Sequence, residues 1–365
     1  MPETMKTLRS YIAPAAPATR APCTGAEPPV RVEFGFTPRW FRARCGIDFS
    51  ERWHLDPVYR GETLARMRRE LRRAFPGIPF SGTGDGAPAM TIDGVHGATF
   101  VARLFRVPCR YAADNWPAAE HAFLTPREIA SLRPVSLEES EAGRQLFEQI
   151  DVIARECGVV SGYVNWQGVL NTAFRLRGAE IFSDLLADAP LAHHLFEVIA
   201  ETMIQGMRTL YARQRESGFL VEHATLSNCV VNMVSPGLYA EHILPYDARI
   251  AAAFPAFGIH NCAWNVDPHI GHYATIPNLG YVDMGLESTF PRIRALCPHA
   301  RRAVMYTPMD LTAKPVEALR ADLVRIRTEL SPCDIVMADI DEGTPGERVL
   351  DFARLAGETL SIPVE

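Results

Sequence analysis

The segment Ile259-His260-Asn261-Cys262 places an imidazole and a thiol two residues apart. Side chains two residues apart in an extended chain point to the same side, so His260 and Cys262 can both reach one metal ion. Imidazole and thiolate are ligands that zinc prefers. The segment therefore predicts half of a zinc site. The alternative interpretation is a hydrogen-bonded histidine beside a cysteine in the protein core.

A zinc site needs further ligands, and these must come from distant stretches of chain. Cys333 directly precedes a predicted strand at residues 334–340, and Asp339 lies near the end of that strand. Glu222 and Glu287 are additional oxygen donors. If the strand ends gather at one side of the fold, Asp339 is better placed than Cys333. The candidate metal ligands are therefore His260, Cys262, Cys333 and Asp339.

Strands and helices alternate regularly from about residue 140 onward. Apolar runs predict strands, and helical periodicity with start signals such as Ser235-Pro236 predicts the helices between them. The predicted strands are residues 158–164, 218–222, 257–260, 281–286, 303–306 and 334–340. This alternation indicates parallel βαβ units. Because no Rossmann glycine fingerprint is present, the fold class is expected to be α/β, a (β/α)8 TIM barrel with an N-terminal extension.

The domain organisation follows from composition along the chain. Residues 1–30 are rich in Ala, Pro and Thr and predict a flexible N-terminal arm, whereas residues 31–365 are expected to form one barrel domain. The glycine-rich residues 81–86 lack the Gly-Lys-Ser/Thr of a phosphate loop and predict a turn.

Active sites of such barrels lie at the carboxyl ends of the strands, so the residues that follow each strand are the informative ones. There Glu222 or His223 is a candidate acid or base beside His260, although adjacent residues on a strand point in opposite directions. The candidate substrate-binding residues, which could stack on or hydrogen-bond a small molecule, are Asn165, Trp166, Asn228 and Glu287. A packed aromatic residue at the rim is the alternative interpretation of Trp166.

Composition excludes several classes of protein. The chain has 365 residues, a formal net charge of -6 and no basic stripe, so no nucleic-acid partner is expected. No signal peptide and no apolar run of membrane-spanning length is present, which predicts a cytoplasmic protein without membrane contact. The 8 Cys are scattered along a long chain, as expected in a reducing compartment.

Several motifs resemble the uroporphyrinogen decarboxylase superfamily. Residues 258–262 (Gly-Ile-His-Asn-Cys) look like its His-x-Cys-Gly strand end. Residues 235–246, which begin Ser-Pro-Gly-Leu-Tyr and end Leu-Pro-Tyr, resemble its helix signature. Residues 343–349 (Gly-Thr-Pro-Gly-Glu-Arg-Val) resemble the start of its closing helix. Further similarity lies at residues 40–49 and 165–178, in the same order as in the family.

The resemblance covers most of residues 34–360 and implies a barrel enzyme of the branch that is similar to corrinoid-dependent methyltransferases. In that branch His-x-Cys and a later cysteine hold zinc, which binds a thiol as thiolate. His260 and Cys262 match the first two ligands, but the family's later cysteine falls at Ala338 or Asp339. A ligand set of His, Cys and Asp would be harder and would favour oxygen or nitrogen methyl donors.

The resemblance implies a methyltransferase that moves a methyl group between a small methylated substrate or thiol and a corrinoid (cobalamin) carrier, with zinc assistance. It also implies a corrinoid protein as partner and a homodimer. The alternative is a metal-free decarboxylase of a small or tetrapyrrolic acid. That activity requires basic residues at the barrel mouth, for which Arg175 and Arg177 are the nearest candidates.

Overall fold

The computed structural model of the protein describes residues 29–78 and 89–360. Most of the predicted N-terminal arm and the glycine-rich residues 81–86 lie outside the described residues. Val30 begins the first strand of the described residues. No helix in the described part of the chain combines the length and apolarity needed to cross a membrane.

Eight strands are present in the described residues, and six of them form one parallel sheet. The strands are β1 (Val30–Phe36), β2 (Cys109–Ala112), β3 (Asn115–Ala119), β4 (His223–Ser227), β5 (Ala256–His260), β6 (Leu279–Met284), β7 (Arg301–Met305) and β8 (Cys333–Ile340). The sheet order is β1-β8-β7-β6-β5-β4, and β2 pairs with β3 as a separate antiparallel hairpin. This confirms an α/β fold with a parallel sheet.

Helices follow most strands of the sheet, as parallel crossovers require. The α-helices are α1 (Pro38–Cys45), α2 (Glu51–Leu55), α3 (Pro57–Ala74), α4 (Phe100–Leu104), α5 (Pro126–Ser131), α6 (Glu141–Cys157), α7 (Val169–Arg177), α8 (Glu180–Ala187), α9 (Ala189–Glu216), α10 (Pro236–Leu238), α11 (Leu244–Ala252), α12 (Ile270–Tyr273), α13 (Phe290–Leu296), α14 (Pro308–Ala313), α15 (Val316–Leu330) and α16 (Gly346–Leu360). Short 3-10 turns cover Gly97–Thr99 and Cys229–Met233, and a π-helical turn covers Tyr239–Ile243.

The predicted start at Ser235-Pro236 is confirmed. The Ser235 hydroxyl accepts a hydrogen bond from the backbone N–H of Leu238 at 3.2 Å, and Pro236 occupies the first helical position, where its missing N–H costs nothing. The chain then passes through the π-helical turn into α11, so the predicted single helix at 235–254 is three consecutive helical segments.

The predicted strand at residues 158–164 does not form a ladder. This extended segment is linked to its neighbours by a single bridge between Gln167 and Ser227 and by a hydrogen bond from the N–H of Ile92 to the carbonyl of Ser161 (3.0 Å). The ladder pairing of the described residues therefore gives an open sheet of six strands. Closure into an eight-stranded barrel remains a prediction.

The strand expected at residues 218–222 is wrong by about five residues. Helix α9 ends at Glu216, Gly218 turns the chain with a φ of 92°, and pairing begins only at His223, which lies opposite Ala256 of β5. The buried positions of this strand are Ala224 to Ser227. The shift matters for the site, because it moves Glu222 and His223 to the amino end of the strand.

Candidate metal centre

A cavity of about 290 Å³ lies at the carboxyl ends of the parallel strands. Each strand from β4 to β8 places at least one residue at its end in the wall, and hairpin β2–β3 adds an aromatic residue. These wall residues include Ser227, His260, Cys262, Asp283, Met305, Asp339 and Trp116. Ligands of open α/β sheets bind in the crevice at this edge, so the cavity occupies the expected place for a site.

His260 is held by a buried carboxylate. Its Nδ1 lies 2.6 Å from Oδ2 of Asp283, whose side chain is 0% exposed. The backbone N–H of Asn261 donates to the other oxygen at 2.6 Å, and the Tyr281 hydroxyl donates to Oδ2 at 2.8 Å. Because Nδ1–H is donated to Asp283, Nε2 keeps its lone pair for a metal.

Cys229 joins His260 and Cys262 from the neighbouring strand end. It follows β4 by two residues, at the start of the 3-10 turn. Its Cα lies 5.9 Å from that of Cys262, and in this structure the two residues are paired through their sulfur atoms. His260 Nε2 lies 3.0 Å from Cys262 Sγ, and the ligand atoms of all three residues lie within 4.8 Å of one another. When Cys229 and Cys262 are reduced and deprotonated to thiolates, their two sulfurs and the His260 imidazole can bind one metal ion together.

Two residues of the cavity wall have left-handed backbone conformations. Cys262 has a φ of 58° and Asp339 a φ of 62°. This region costs a residue with a side chain roughly 1–3 kcal/mol, and such residues cluster at functional sites. Both conformations aim a chemically active side chain into the same cavity.

The Asp339 carboxylate has no hydrogen bond or ion pair within the described residues. The Asp339 side chain is exposed to solvent through the cavity. Desolvation by the surrounding protein nevertheless raises its pKa, while His260 lowers it. Its cavity-facing position identifies it as a potential contact for a bound molecule rather than as a structural residue.

A buried carboxyl on α11 supports the backbone behind the site. Asp247 is 0% exposed and accepts hydrogen bonds from Asn228 Nδ2 (2.7 Å) and the Tyr239 hydroxyl (2.9 Å). The backbone N–H of Asn228 in turn donates to the carbonyl of His260 at 2.8 Å. Burial raises the pKa of Asp247 to about 7.

The expected ligands divide into two groups. His260, Cys262 and Asp339 line the cavity. Cys333 is the first residue of β8 and pairs with Val30 and Arg302 at the amino ends of their strands. Six residues of strand at ~3.3 Å each separate Cys333 from Asp339, so the expected set containing Cys333 is wrong.

The expected acid or base on β4 also lies at the wrong end. Glu222 precedes the strand and His223 begins it, so neither faces the cavity, and the His223 ring instead contacts Tyr163 at 5.8 Å. Glu287 is exposed and lies outside the cavity wall. The structure corrects these three expectations. Glu222 and His223 lie at the amino end of β4, and Glu287 is exposed outside the cavity wall.

Of the other expected substrate-binding residues, only Asn165 lies in the cavity wall, where Oδ1 accepts from the Ser227 hydroxyl at 3.1 Å. Trp166 is 1% exposed and packs edge-on against Phe100 with ring centres 5.5 Å apart, so it belongs to the core. Asn228 is fully buried outside the cavity, in the Asp247 network.

Sequence reasoning missed Cys229 and the role of Asp283. Cys229 lies two residues after the end of β4, where a ligand of a strand-end site is expected, but the misplaced strand concealed this position. Asp283 stood among the polar strand-end residues, and only its 2.6 Å contact with His260 shows what it does. Trp116 carried no signal, because it reaches the cavity from a separate hairpin.

Comparison with known proteins supports the fold. No protein-family model and no curated protein matches the chain. Among solved structures, it is similar to a methyltransferase from Methanosarcina mazei with a TM-score of 0.62 at 14% sequence identity, over 88% of this chain and 91% of that one. At this identity the similarity establishes a shared fold along nearly the whole length of both chains.

Proposed function

We propose that the protein is a methyltransferase that moves a methyl group between a small substrate and a corrinoid carrier, with zinc held by Cys229, His260 and Cys262. The observation that carries the proposal is the convergence of two sulfurs and one imidazole nitrogen from two strand ends beside one cavity, whose wall includes His260 and Cys262. Its fold is shared with a methyltransferase, which supports the same conclusion.

The donor set fits a catalytic zinc. Three protein ligands of the Cys2His type leave the fourth position for water or substrate, and this position would face the cavity. When bound, zinc would lower the pKa of a coordinated thiol and make it nucleophilic near neutral pH. Because Cys229 supplies a second sulfur, the set is softer than the expected His, Cys and Asp combination and favours a thiol.

The protein's own residues would prepare this site. Asp283 holds the His260 ring in one orientation and tautomer through Nδ1. Trp116 contributes an aromatic side chain to the cavity wall. Asn165 and Ser227, hydrogen-bonded to each other, present polar atoms to a bound molecule on the opposite wall.

The proposed fold is a complete eight-stranded barrel. The segments at 89–93 and 160–167 would supply the two strands that are missing from the ladder. They are joined by the Ile92–Ser161 hydrogen bond and by one from the N–H of Tyr163 to the Asp93 carboxylate (3.0 Å), and Gln167 bridges to β4. In a closed barrel the segment at 160–167 would lie beside β4, and the segment at 89–93 would lie beside the segment at 160–167.

A corrinoid-carrying protein would dock at the cavity rim. Three large apolar side chains are exposed on the segments that follow β4, β5 and β7, namely Met233 (60%) in a 3-10 turn, Trp264 (53%) and Met309 (77%) in α14. Exposed apolar residues around a site are typical of protein contact surfaces. A homodimer is also proposed, from the family resemblance alone.

The metal-free decarboxylase is less well supported. No lysine or arginine of the described residues lines the cavity, so a substrate carboxylate would have no cationic partner there. Arg177 is paired with Asp184 at 2.8 Å, and Arg175 lines a different cavity. A volume of about 290 Å³ is at the small end for ligand sites, which disfavours a tetrapyrrole.

Metal content tests the proposal directly. Protein purified under reducing conditions is expected to contain one zinc per chain, and Cys229→Ala, His260→Ala and Cys262→Ala variants are expected to lose it. Cys157→Ala is the control, since Cys157 ends α6 away from the cavity. Wild-type protein should then transfer methyl groups to or from cobalamin. A wild type without zinc, or variants that retain it, would contradict the metal site.

A further inference from the structure

We propose that the substrate of this cavity is a small aminothiol, whose sulfur occupies the open metal position and whose ammonium group pairs with Asp339. The inference rests on the proposed function and adds the chemical class of the small molecule. It makes Asp339 a specificity-determining residue rather than a metal ligand.

The charge of the cavity leads to this class. A zinc ion with two thiolates and one neutral imidazole has no net charge, so the metal centre would not attract an anion. The Asp283 carboxylate is already engaged by three donors, from His260, Asn261 and Tyr281. Asp339 alone among the wall carboxylates has no hydrogen-bonded or ion-paired partner within the described residues.

No cationic side chain compensates Asp339. The described residues contribute neither lysine nor arginine to the cavity wall. Asp339 is exposed at the cavity wall, so a cationic group on the bound molecule would form a charge-assisted hydrogen bond with a free carboxylate there. The same charge would repel a thiol with a carboxylate or sulfonate group.

The residues that line the cavity suit a small molecule with a cationic group. Trp116 and Tyr281 present aromatic surface to the cavity, and aromatic faces attract ammonium groups. His260 and Asp339 both line this cavity, so the proposed metal position and the carboxylate face one shared space. The volume of about 290 Å³ admits a molecule of a few heavy atoms rather than a large cofactor.

Cobalt(II) in place of zinc provides a readout that does not depend on activity. Cysteamine and 3-mercaptopropionate are titrated into cobalt-loaded protein, and binding is followed by the sulfur-to-cobalt charge-transfer absorbance. In wild type we expect cysteamine to bind at least tenfold more tightly than 3-mercaptopropionate. In Asp339→Asn this ratio should fall at least fivefold, while in Asp341→Asn it should not change.

Cysteamine and 3-mercaptopropionate differ in thiol acidity, but this difference is the same for every protein variant. Comparing the affinity ratio between variants therefore cancels it. Asparagine tolerates the left-handed backbone of position 339, so the variant is expected to fold. Asp341 is the control because it is a carboxylate residue two positions further along, just beyond β8, that lies outside the cavity wall and accepts a hydrogen bond from Thr37. A ratio that is unchanged in Asp339→Asn would overturn the aminothiol proposal. Failure of wild type to bind cobalt would instead overturn the metal site.

Discussion

His260 is the residue on which the site depends, and its two ring nitrogens have separate tasks. Nδ1 is committed to Asp283 at 2.6 Å, and Nε2 faces the sulfur of Cys262 at 3.0 Å. A carboxylate behind a metal-binding histidine fixes the tautomer and raises the basicity of the ligand nitrogen. If the site holds zinc as proposed, Asp283 would contribute to metal affinity without contacting the metal.

Replacing Asp283 tests this role. We expect Asp283→Asn to weaken zinc binding by about 10- to 100-fold, because the His260 ring loses its charged acceptor. Competition with a chromophoric chelator measures the affinity. Tyr281→Phe, which removes one donor but keeps the carboxylate, should have a smaller effect. An Asp283→Asn protein that folds and binds zinc as wild type does would show that the contact is only structural.

Among the elements, helix α11 stabilises the end of β4 through Asp247. The folded protein holds the pKa of this carboxyl at about 7, above its ordinary value of 3.8, because the group is fully buried. As pH rises from about 4 to about 7, the unfolded chain releases this proton and the folded chain does not. The unfolding free energy should therefore decrease over this window and level off above it.

Asp247→Asn should abolish this pH dependence of the unfolding free energy, because an amide does not titrate. The amide oxygen can still accept hydrogen bonds from Asn228 and Tyr239. The variant is expected to gain stability relative to wild type from pH 4 to pH 7, by at most ~4 kcal/mol. Urea unfolding at a series of pH values gives the difference between the two proteins. If the unfolding free energies of wild type and variant changed with pH in parallel, Asp247 would be shown to ionise normally in the folded protein.

The sheet is held at its amino end by a buried ion cluster. Asp334 of β8 accepts from Arg301 of β7 (Nε, 2.7 Å, with a second contact through Nη2) and from Arg31 of β1 (Nε, 3.2 Å). Asp334 and Arg301 side chains are 0% and 5% exposed. Three adjacent strands are thereby linked at the end opposite the cavity.

Removing the charge of Asp334 should destabilise the protein without affecting the site. Asp334→Asn leaves Arg301 buried with an incomplete partner, which typically costs about 3–5 kcal/mol. Denaturant unfolding should show this loss, while the zinc content of the folded variant should equal that of wild type. Glu358→Gln, in exposed pairs with Arg354 and Arg320, should have a much smaller effect. Zinc loss in Asp334→Asn would indicate coupling between the two ends.

In the whole molecule, stability and chemistry occupy opposite ends of the same strands. The cavity joins residues from β4 to β8, and the proposed metal ligands belong to segments that are apart in the chain, since Cys262 follows Cys229 by 33 positions. A metal ion would bind these segments together only in the folded state, so its binding should add to the stability of the whole protein.

Zinc should therefore raise the midpoint of thermal unfolding of reduced protein. At a free zinc concentration of 100 times the dissociation constant, the gain is about 2.7 kcal/mol. Differential scanning calorimetry measures it, and the increase should disappear in His260→Ala. Magnesium is the control, because it prefers oxygen ligands and should have no effect. Stabilisation that persists in His260→Ala would place the zinc elsewhere.

The sequence alone determined those features that depend on short-range spacing. Alternating strands and helices predicted the α/β class, the Ser235-Pro236 pair predicted a helix start, and the two-residue spacing of His260 and Cys262 predicted a shared metal. Each of these rests on the local geometry of a strand or helix end, which neighbouring residues specify. The prediction failed where a boundary was wrong, as at β4, since a five-residue shift exchanges the two ends of a short strand.

Tertiary structure decided the rest. The approach of Cys229 to Cys262, the burial of Asp283 behind His260, the burial of Trp166 in the core and the position of Trp116 over the cavity all depend on how separate segments pack. Pairing register and packing arise from contacts among residues far apart in sequence, and no local pattern contains that information. For the same reason Cys333 and Asp339, six residues apart, lie at opposite ends of one strand, and only Asp339 faces the cavity.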